Sequence, residues 1–473
     1  MQKSLGLLFV LLLAVALGAC AGQQGAAGGA AVPAQPSTAE PAQPIEVPDD
    51  IDVSTVEGWG ALMRSQFEGD SINLLVGAHP AIEAMRGFYR DFVDITGIDV
   101  NFRIITDGTV ISVALLEAAS GAGNYDIFAV DAASIPAFWG RQIVVPLEAF
   151  LEDEVRTPAW FDYEDIIPAF AQGISRSQGR IIGIPYAGET RFLGYRTDLF
   201  EEHGKEPPRT MDEFLELARY FNNIEPGLFG VSMRAASGRQ GGSGFQSIAY
   251  AFTDSAFVNP ATFQPEFDSP ETTQAIQFFV DLLENAPPDV STFAHEEALS
   301  AFTQGITAMW LDATALAGRI VNPETSLIYD RVNFVPTPMG PKGMNAALAG
   351  WNFTLPVDSA NHDQAWAFIV YMASRENART YFDNGGVPSR TSLFTDPDLI
   401  EQNWTLPRQL EAMDHALGLI ERGISYNPDF TYTNDMMDIA GTFISMALVG
   451  QISVEEAARL GQLEMLDFLA DRE

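Results

Sequence analysis

The sequence predicts an α/β fold built on a parallel sheet with helices on its faces, and three observations carry that prediction. Strand-like and helix-like stretches alternate between residues 71 and 131, the order that gives parallel strands joined by helical crossovers. The chain of 473 residues is 47% hydrophobic and 11% aromatic, enough for a large core divided among two or three domains or lobes. Its single cysteine, Cys20, permits no internal disulfide, so packing must hold the molecule together.

The elements follow in order. Lys3, the apolar run Leu5 to Leu17 and the ending Leu17-Gly18-Ala19-Cys20 form a secretory signal over residues 1–19. The run is shorter than the roughly 20 apolar residues of a membrane span. Its ending resembles the bacterial lipoprotein signal, which implies lipidation at Cys20. Residues 20–55, rich in Gly, Ala, Gln and Pro, have no apolar periodicity and read as a flexible tether. Order is expected from Ser71: a strand at Ile72–Val76, one helix over Ala81–Thr96, a strand at Ile98–Ile104, a helix at Val110–Ala119 and a buried strand ending at Asp131. Two extended runs, Ile181–Tyr186 and Glu189–Arg196, suit a crossing between lobes. Thr210-Met211-Asp212-Glu213 is a capping-box helix start. Further helices are expected at Thr272–Leu283, Glu296–Gln304, Asp363–Ser374 and Val454–Leu469, with a strand at Ala308–Leu311. The Gly-rich stretch Gly238–Gly244 reads as a flexible turn.

Composition removes whole classes of function. There are 63 acidic residues against 26 basic ones, a net charge of -37, and the only lysines are Lys3, Lys205 and Lys342. Such a surface repels phosphate backbones, so no nucleic-acid partner is expected. The five histidines are scattered and Cys20 lies in the signal, so neither a metal nor a thiol nucleophile is expected. Gly241-Gly242-Ser243-Gly244-Phe245 fails the nucleophile-elbow pattern at its last position, and His295-Glu296-Glu297 has no second histidine. A glycoside hydrolase with paired carboxylates remains the enzymatic rival, but no pair stands at a recognisable spacing. The chain reads as no enzyme, without cofactor.

Several stretches resemble the extracellular solute-binding proteins of bacterial carbohydrate ABC importers, in particular the sorbitol/mannitol-binding branch. Phe302-Thr303-Gln304-Gly305-Ile306-Thr307-Ala308-Met309-Trp310-Leu311-Asp312-Ala313-Thr314 is similar to that branch's Phe-x-x-Gly-x-x-Ala-Met-Trp-Tyr-Asp-Ala-Thr. Gly179–Glu189 is similar to its Gly-x-x-x-x-Leu-Pro-x-x-Gly-Glu, and Tyr195–Phe200 to its Tyr-Arg-Lys-Asp-Leu-Phe with Thr for Lys. Ile135–Gly140 resembles its Pro-x-Trp stretch, and Pro388-Ser389-Arg390 matches a late Gly-x-Arg-x-Ser segment more loosely. The sequence departs from the branch after Arg234, where a Trp-Gly-Glu-Asn stretch is replaced by Ser-Gly-Arg-Gln-Gly-Gly.

The resemblance implies a two-lobed periplasmic-binding-protein fold of type II, joined by crossover segments with a ligand cleft between. Lobe 1 is expected over 56–189 and 353–400, and lobe 2 over 190–352 and 401–473. It implies a monomeric, lipid-anchored receptor, exported to the periplasmic or outer face of the membrane. This receptor delivers a sugar or sugar alcohol to an ABC permease; glycerol phosphate or an oligosaccharide is the alternative ligand. Sugars need hydroxyl partners and flat apolar partners. Trp310 and Trp351 are therefore expected as stacking platforms, and Asp131, Glu189 and Asp312 as hydroxyl acceptors. Arg234 and Arg390 donate to hydroxyls or bridge the lobes, and Tyr186 stacks or packs at the hinge. His79, at a strand end, is a weaker candidate.

Overall fold

The computed structural model describes residues 44–106, 109–344, 346–387 and 389–472. The signal, Cys20 and most of the tether lie outside the described residues. The described residues form ten strands: β1 Ser71–Gly77, β2 Asp99–Ile105, β3 Ile127–Asp131, β4 Arg176–Ser177, β5 Arg180–Ile181, β6 Ile184–Arg196, β7 Phe229–Ser232, β8 Thr307–Ala313, β9 Val332–Pro336 and β10 Leu348–Thr354. β4 and β5 form a small hairpin, and the rest run in the order β2-β1-β3-β10-β6-β8-β7, with β9 also on β6.

The sheet has two halves that share one strand. β1, β2 and β3 are parallel, as their helical crossovers require, and β10 returns antiparallel beside β3. β6 pairs with β10 over Ile184–Thr190 and with β8 and β9 over Arg191–Arg196. The two extended runs expected from the sequence are thus mostly a single strand that carries the chain from one half to the other.

Each half has its own core. On one side Ile72, Leu74 and Val76 of β1 pack with Trp59, Phe92, Phe353 and Trp366, while Leu75 points the other way to Phe128 and Phe138. Both faces are covered, the normal condition of a parallel sheet. On the other side Phe192, Phe214, Phe245, Phe302, Met309, Phe334 and Ile444 form a larger cluster.

Three local expectations change. Order begins earlier than Ser71: a helix at Val56–Phe67, capped by the Thr55 side chain accepting from the Gly58 amide, buries Trp59, Leu62 and Met63. The helix expected over 81–96 is two helices, Pro80–Arg86 and Tyr89–Thr96, parted at Gly87, where a side chain would collide with Asn384. The Gly-rich stretch is no turn. It forms the helix Arg239–Ala249, whose glycines let it lie against the helix Thr433–Leu448. A Cβ on Gly441 would overlap the carbonyl oxygen of Gly238, so only glycine permits this approach. The capping box at Thr210 is present, with Glu213 answering it.

Candidate functional site

In a sheet of this kind ligands lie beyond the carboxyl ends of the parallel strands, and three charged side chains singled out from the sequence, Asp131, Asp312 and Arg234, stand there. Asp131 is the last residue of β3 and faces Trp351 directly across the β3–β10 ladder, so both project from one face. His79, the N-cap of the helix after β1, places its ring 5.9 Å from the Trp351 ring. Asp131 is held by Ser134, whose amide and hydroxyl donate to it at 3.0 and 3.1 Å.

The other half of the sheet supplies a charge cluster. Asp312 stands near the end of β8, and Arg234 follows β7, the parallel neighbour of β8, so the two strand ends bring them together. Arg234 Nε and Nη2 donate to the Asp312 carboxylate at 2.8 and 2.7 Å. Arg191 Nη1 lies 3.5 Å from the same carboxylate and 3.4 Å from Glu189 Oε1. Glu189 and Arg191 are alternate residues of β6 and so share a face. Ser243 and Ser247 accept from Arg191 at 3.4 and 3.3 Å. Burial opposes ionisation of Asp312, which is 1% exposed, but the two guanidinium groups outweigh it and hold the carboxyl below the usual carboxylate range. Burial pushes the neighbouring Tyr426 phenol up to about 12, with Arg191 pulling the other way.

The two halves meet at this point. Arg239 Nη2, from the glycine-rich helix, lies 3.9 Å from Asp131 Oδ2, and Asn434 Nδ2 donates to Ser134 Oγ at 3.3 Å. The Arg239 amide donates to Asp438 at 3.0 Å. Three guanidinium groups therefore face three carboxylates, Asp438 being held by a backbone amide beside them, with the half-buried Trp351 as the flat apolar partner.

Three expected site residues are placed elsewhere. Trp310 is 0% exposed: its ring lies between Phe302, stacked at 6.0 Å, and Phe192, edge-on at 6.1 Å. It sits one pleat deeper along β8 than Asp312, where the helix His295–Thr303 covers the sheet, so it is core and not a platform. Tyr186 is buried and stacks on Phe353 at 4.1 Å. Arg390 is 2% exposed and donates to the carbonyls of Ala373 and Asp162, closing a helix end and a loop. Burial pulls its basicity down to about 10, against the pull of Asp165 and Asp162. At this burial the guanidinium group is out of a ligand's reach.

Sequence reasoning missed Arg191, Arg239, Ser134, Asn434 and Tyr426. Arg191 was accessible through its alternation with Glu189 on one strand face. Ser134 meets Asp131 locally, three residues along the chain, whereas Arg239, Asn434 and Tyr426 come together only through the docking of two helices and a loop from distant parts of the chain. No helix among the described residues is long and apolar enough to cross a membrane.

The bacterial extracellular solute-binding protein family matches residues 82–379. A probable amino-acid ABC transporter periplasmic-binding protein of Sinorhizobium fredii is 25% identical over 367 residues, 75% of this chain and 80% of that one. A mannitol-binding protein of Pseudomonas aeruginosa is 27% identical over 274 residues, 57% of this chain and 61% of that one. Among solved structures, an ABC transporter solute-binding protein of Agrobacterium radiobacter in complex with ribitol superposes with a TM-score of 0.74 at 22% identity, over 85% of this chain and 99% of that one.

Proposed function

Because the chain belongs to the bacterial extracellular solute-binding proteins, we propose that it captures a neutral polyhydroxyl ligand, a sugar alcohol or a small sugar, and hands it to an ABC permease. The observation that carries this reading is the charge balance of the crevice. Its guanidinium groups are each matched by a carboxylate, with Asp438 in excess. A phosphate ester would have to displace those carboxylates from the arginines, whereas a polyol needs no compensating charge and exchanges hydroxyl hydrogen bonds with both partners. The indole of Trp351 suits the C–H face of such a ligand. Relatives and fold neighbours that bind mannitol and ribitol support the same class.

Binding draws the two cores together as lobes, with β6 and the adjoining segments as the hinge. Lobe 1 comprises roughly 56–189 and 353–400, and lobe 2 the remainder to 473. Asp131 presents one wall and Arg234 and Arg239 the other, with Trp351 and Glu189 on the paired hinge strands between them. The family is one of binding proteins, which supports a receptor rather than a catalyst, and Asp312, held ionised by two arginines, is no general acid. Lipidation at Cys20 tethers the monomer to the membrane surface, where the permease waits.

Thermal-shift titration of the purified protein with mannitol, ribitol, erythritol and monosaccharides tests the reading. A ligand at 100 times its Kd adds about 2.7 kcal/mol of stability. Silence across these compounds with a response to a phosphate ester refutes the ligand class. A zwitterion also suits a charge-balanced crevice, and the Sinorhizobium relative bears an amino-acid name; a response confined to amino acids would select that second reading.

A further inference from the structure

Asp312 was expected to accept a ligand hydroxyl, but its surroundings leave it no room to do so. It is 1% exposed, and its oxygens are occupied by Arg234 Nε and Nη2 at 2.7 to 3.0 Å and by the Ala313 amide at 2.8 Å. Arg191 Nη1 stands 3.5 Å away. The more exposed Arg234 and Glu189, with side chains 15% and 26% exposed, are what this cluster presents to the crevice.

We propose that Asp312 acts as a charge filter: by neutralising Arg191 and Arg234 from beneath, it lets the crevice accept a neutral polyhydroxyl ligand and reject the anionic form of the same ligand. This rests on the reading of the crevice as a sugar or polyol site. Without Asp312, the Arg234 guanidinium would face the crevice with the buried Arg191 behind it and Glu189 as their one near carboxylate. Paired guanidinium groups of that kind are good receptors for phosphate and carboxylate. Their positive charge is worth more in a partly dehydrated crevice than in water. Specificity here lies in an element that works against the wrong ligand without touching the right one. The resting site gains a second property from the same contact: Arg234 is fixed by three hydrogen-bond contacts to one carboxylate, so its orientation is set before any ligand arrives.

A residue that acts only on structure would weaken all ligands alike; a charge filter changes their ranking. The test is calorimetric titration of the protein and its Asp312→Asn variant, with D-mannitol and ribitol as neutral probes and mannitol 1-phosphate and ribitol 5-phosphate as their anionic counterparts. In the wild type the neutral probes are expected to win. In Asp312→Asn the ratio of neutral to anionic affinity should fall at least about tenfold, equivalent to about 1.4 kcal/mol, and the shift should shrink as salt is added. The double variant Asp312→Asn/Arg234→Gln, which restores the charge count, should regain the wild-type ranking. An unchanged ratio in a folded Asp312→Asn protein overturns the filter. If circular dichroism shows that this variant does not fold, Glu189→Gln removes a more exposed charge from the same balance; its ratio must move in the same direction, and a static ratio overturns the filter equally. A wild type that binds neither neutral probe refutes the polyol reading and the filter with it. One that binds them while the variants keep its ranking refutes the filter alone.

Discussion

Gly242→Ala is the sharpest probe of how this site is built. Gly242 lies in the helix Arg239–Ala249 where it touches the helix Thr433–Leu448. A Cβ there would overlap the Met437 carbonyl oxygen and stand 2.9 Å from the Met437 carbonyl carbon, where ordinary contact begins at 3.4 Å. The nearer oxygen sets the requirement, so the two backbones must separate by about 1 Å or more, and backbone cannot rotate out of the way as a side chain can. Overpacking costs roughly 1–3 kcal/mol, and a backbone obstacle argues for the upper end. Alanine returns about 1 kcal/mol of helix propensity. The expected net loss is about 2 kcal/mol. Binding should weaken as well, because Arg239 and Ser243 ride on one helix while Asn434 and Asp438 ride on the other. Urea unfolding read by fluorescence measures the first effect and calorimetry the second. Gly318→Ala is the control, since nothing lies within 4 Å of a Cβ at that position; it should be neutral or slightly stabilising. Equal midpoints for the two variants would refute the close-packing argument.

Three further outcomes are expected. Trp310→Ala should cost about 3–5 kcal/mol of stability as a core truncation; Trp351→Ala should cost less stability and weaken ligand binding directly. Unfolding curves and calorimetry on both variants separate these roles, and a stable Trp310→Ala protein with impaired binding would return Trp310 to the site. Arg390→Met leaves the carbonyls of Ala373 and Asp162 without their buried donor and should destabilise by about 2 kcal/mol or more. Lysine, lacking the planar fork, should recover only part, and full rescue by lysine would contradict the geometry. In acid, the folded Asp312 carboxyl titrates below its ordinary 3.8, since the pull of Arg234 and Arg191 exceeds the opposing effect of burial. The unfolded chain then binds the proton first, so this contribution is complete above the unfolded value and is lost as pH falls toward the folded one. Urea midpoints between pH 7 and pH 3 should fall less steeply for Asp312→Asn than for the wild type, and parallel profiles would count against the assignment.

Much of the fold was legible because its signals are local. Strand alternation in Asp99–Ile105, the apolar run ending at Asp131 and the capping box at Thr210 depend on neighbours within a few residues, and each appears where the pattern puts it. The glycine-rich helix was misread for the complementary reason. Gly241, Gly242 and Gly244 have low helix propensity, and what makes them helical is a partner helix some 200 positions later that accepts them at close range. The site divided along the same line. Asp131 stands at a strand end, a position that strand patterns already indicate, whereas Trp351 lies in the middle of β10 and was reached through the family resemblance. The fates of Trp310 and Asp312, two residues apart on one strand, were inseparable by pattern.

The sequence by itself determined the alternation of strands and helices, the family likeness carried by Phe302–Thr314, and the kinds of side chain available to a ligand. Tertiary structure decided which of them a ligand can reach. Phe302, on a helix packed over β8, seals Trp310; the carbonyls of a helix end and a loop capture Arg390; Arg234 and Arg191 converge on Asp312 and take up its charge. Secondary structure follows from short-range periodicity and propensity, whereas burial and ion pairing follow from which distant segment comes to lie on each face.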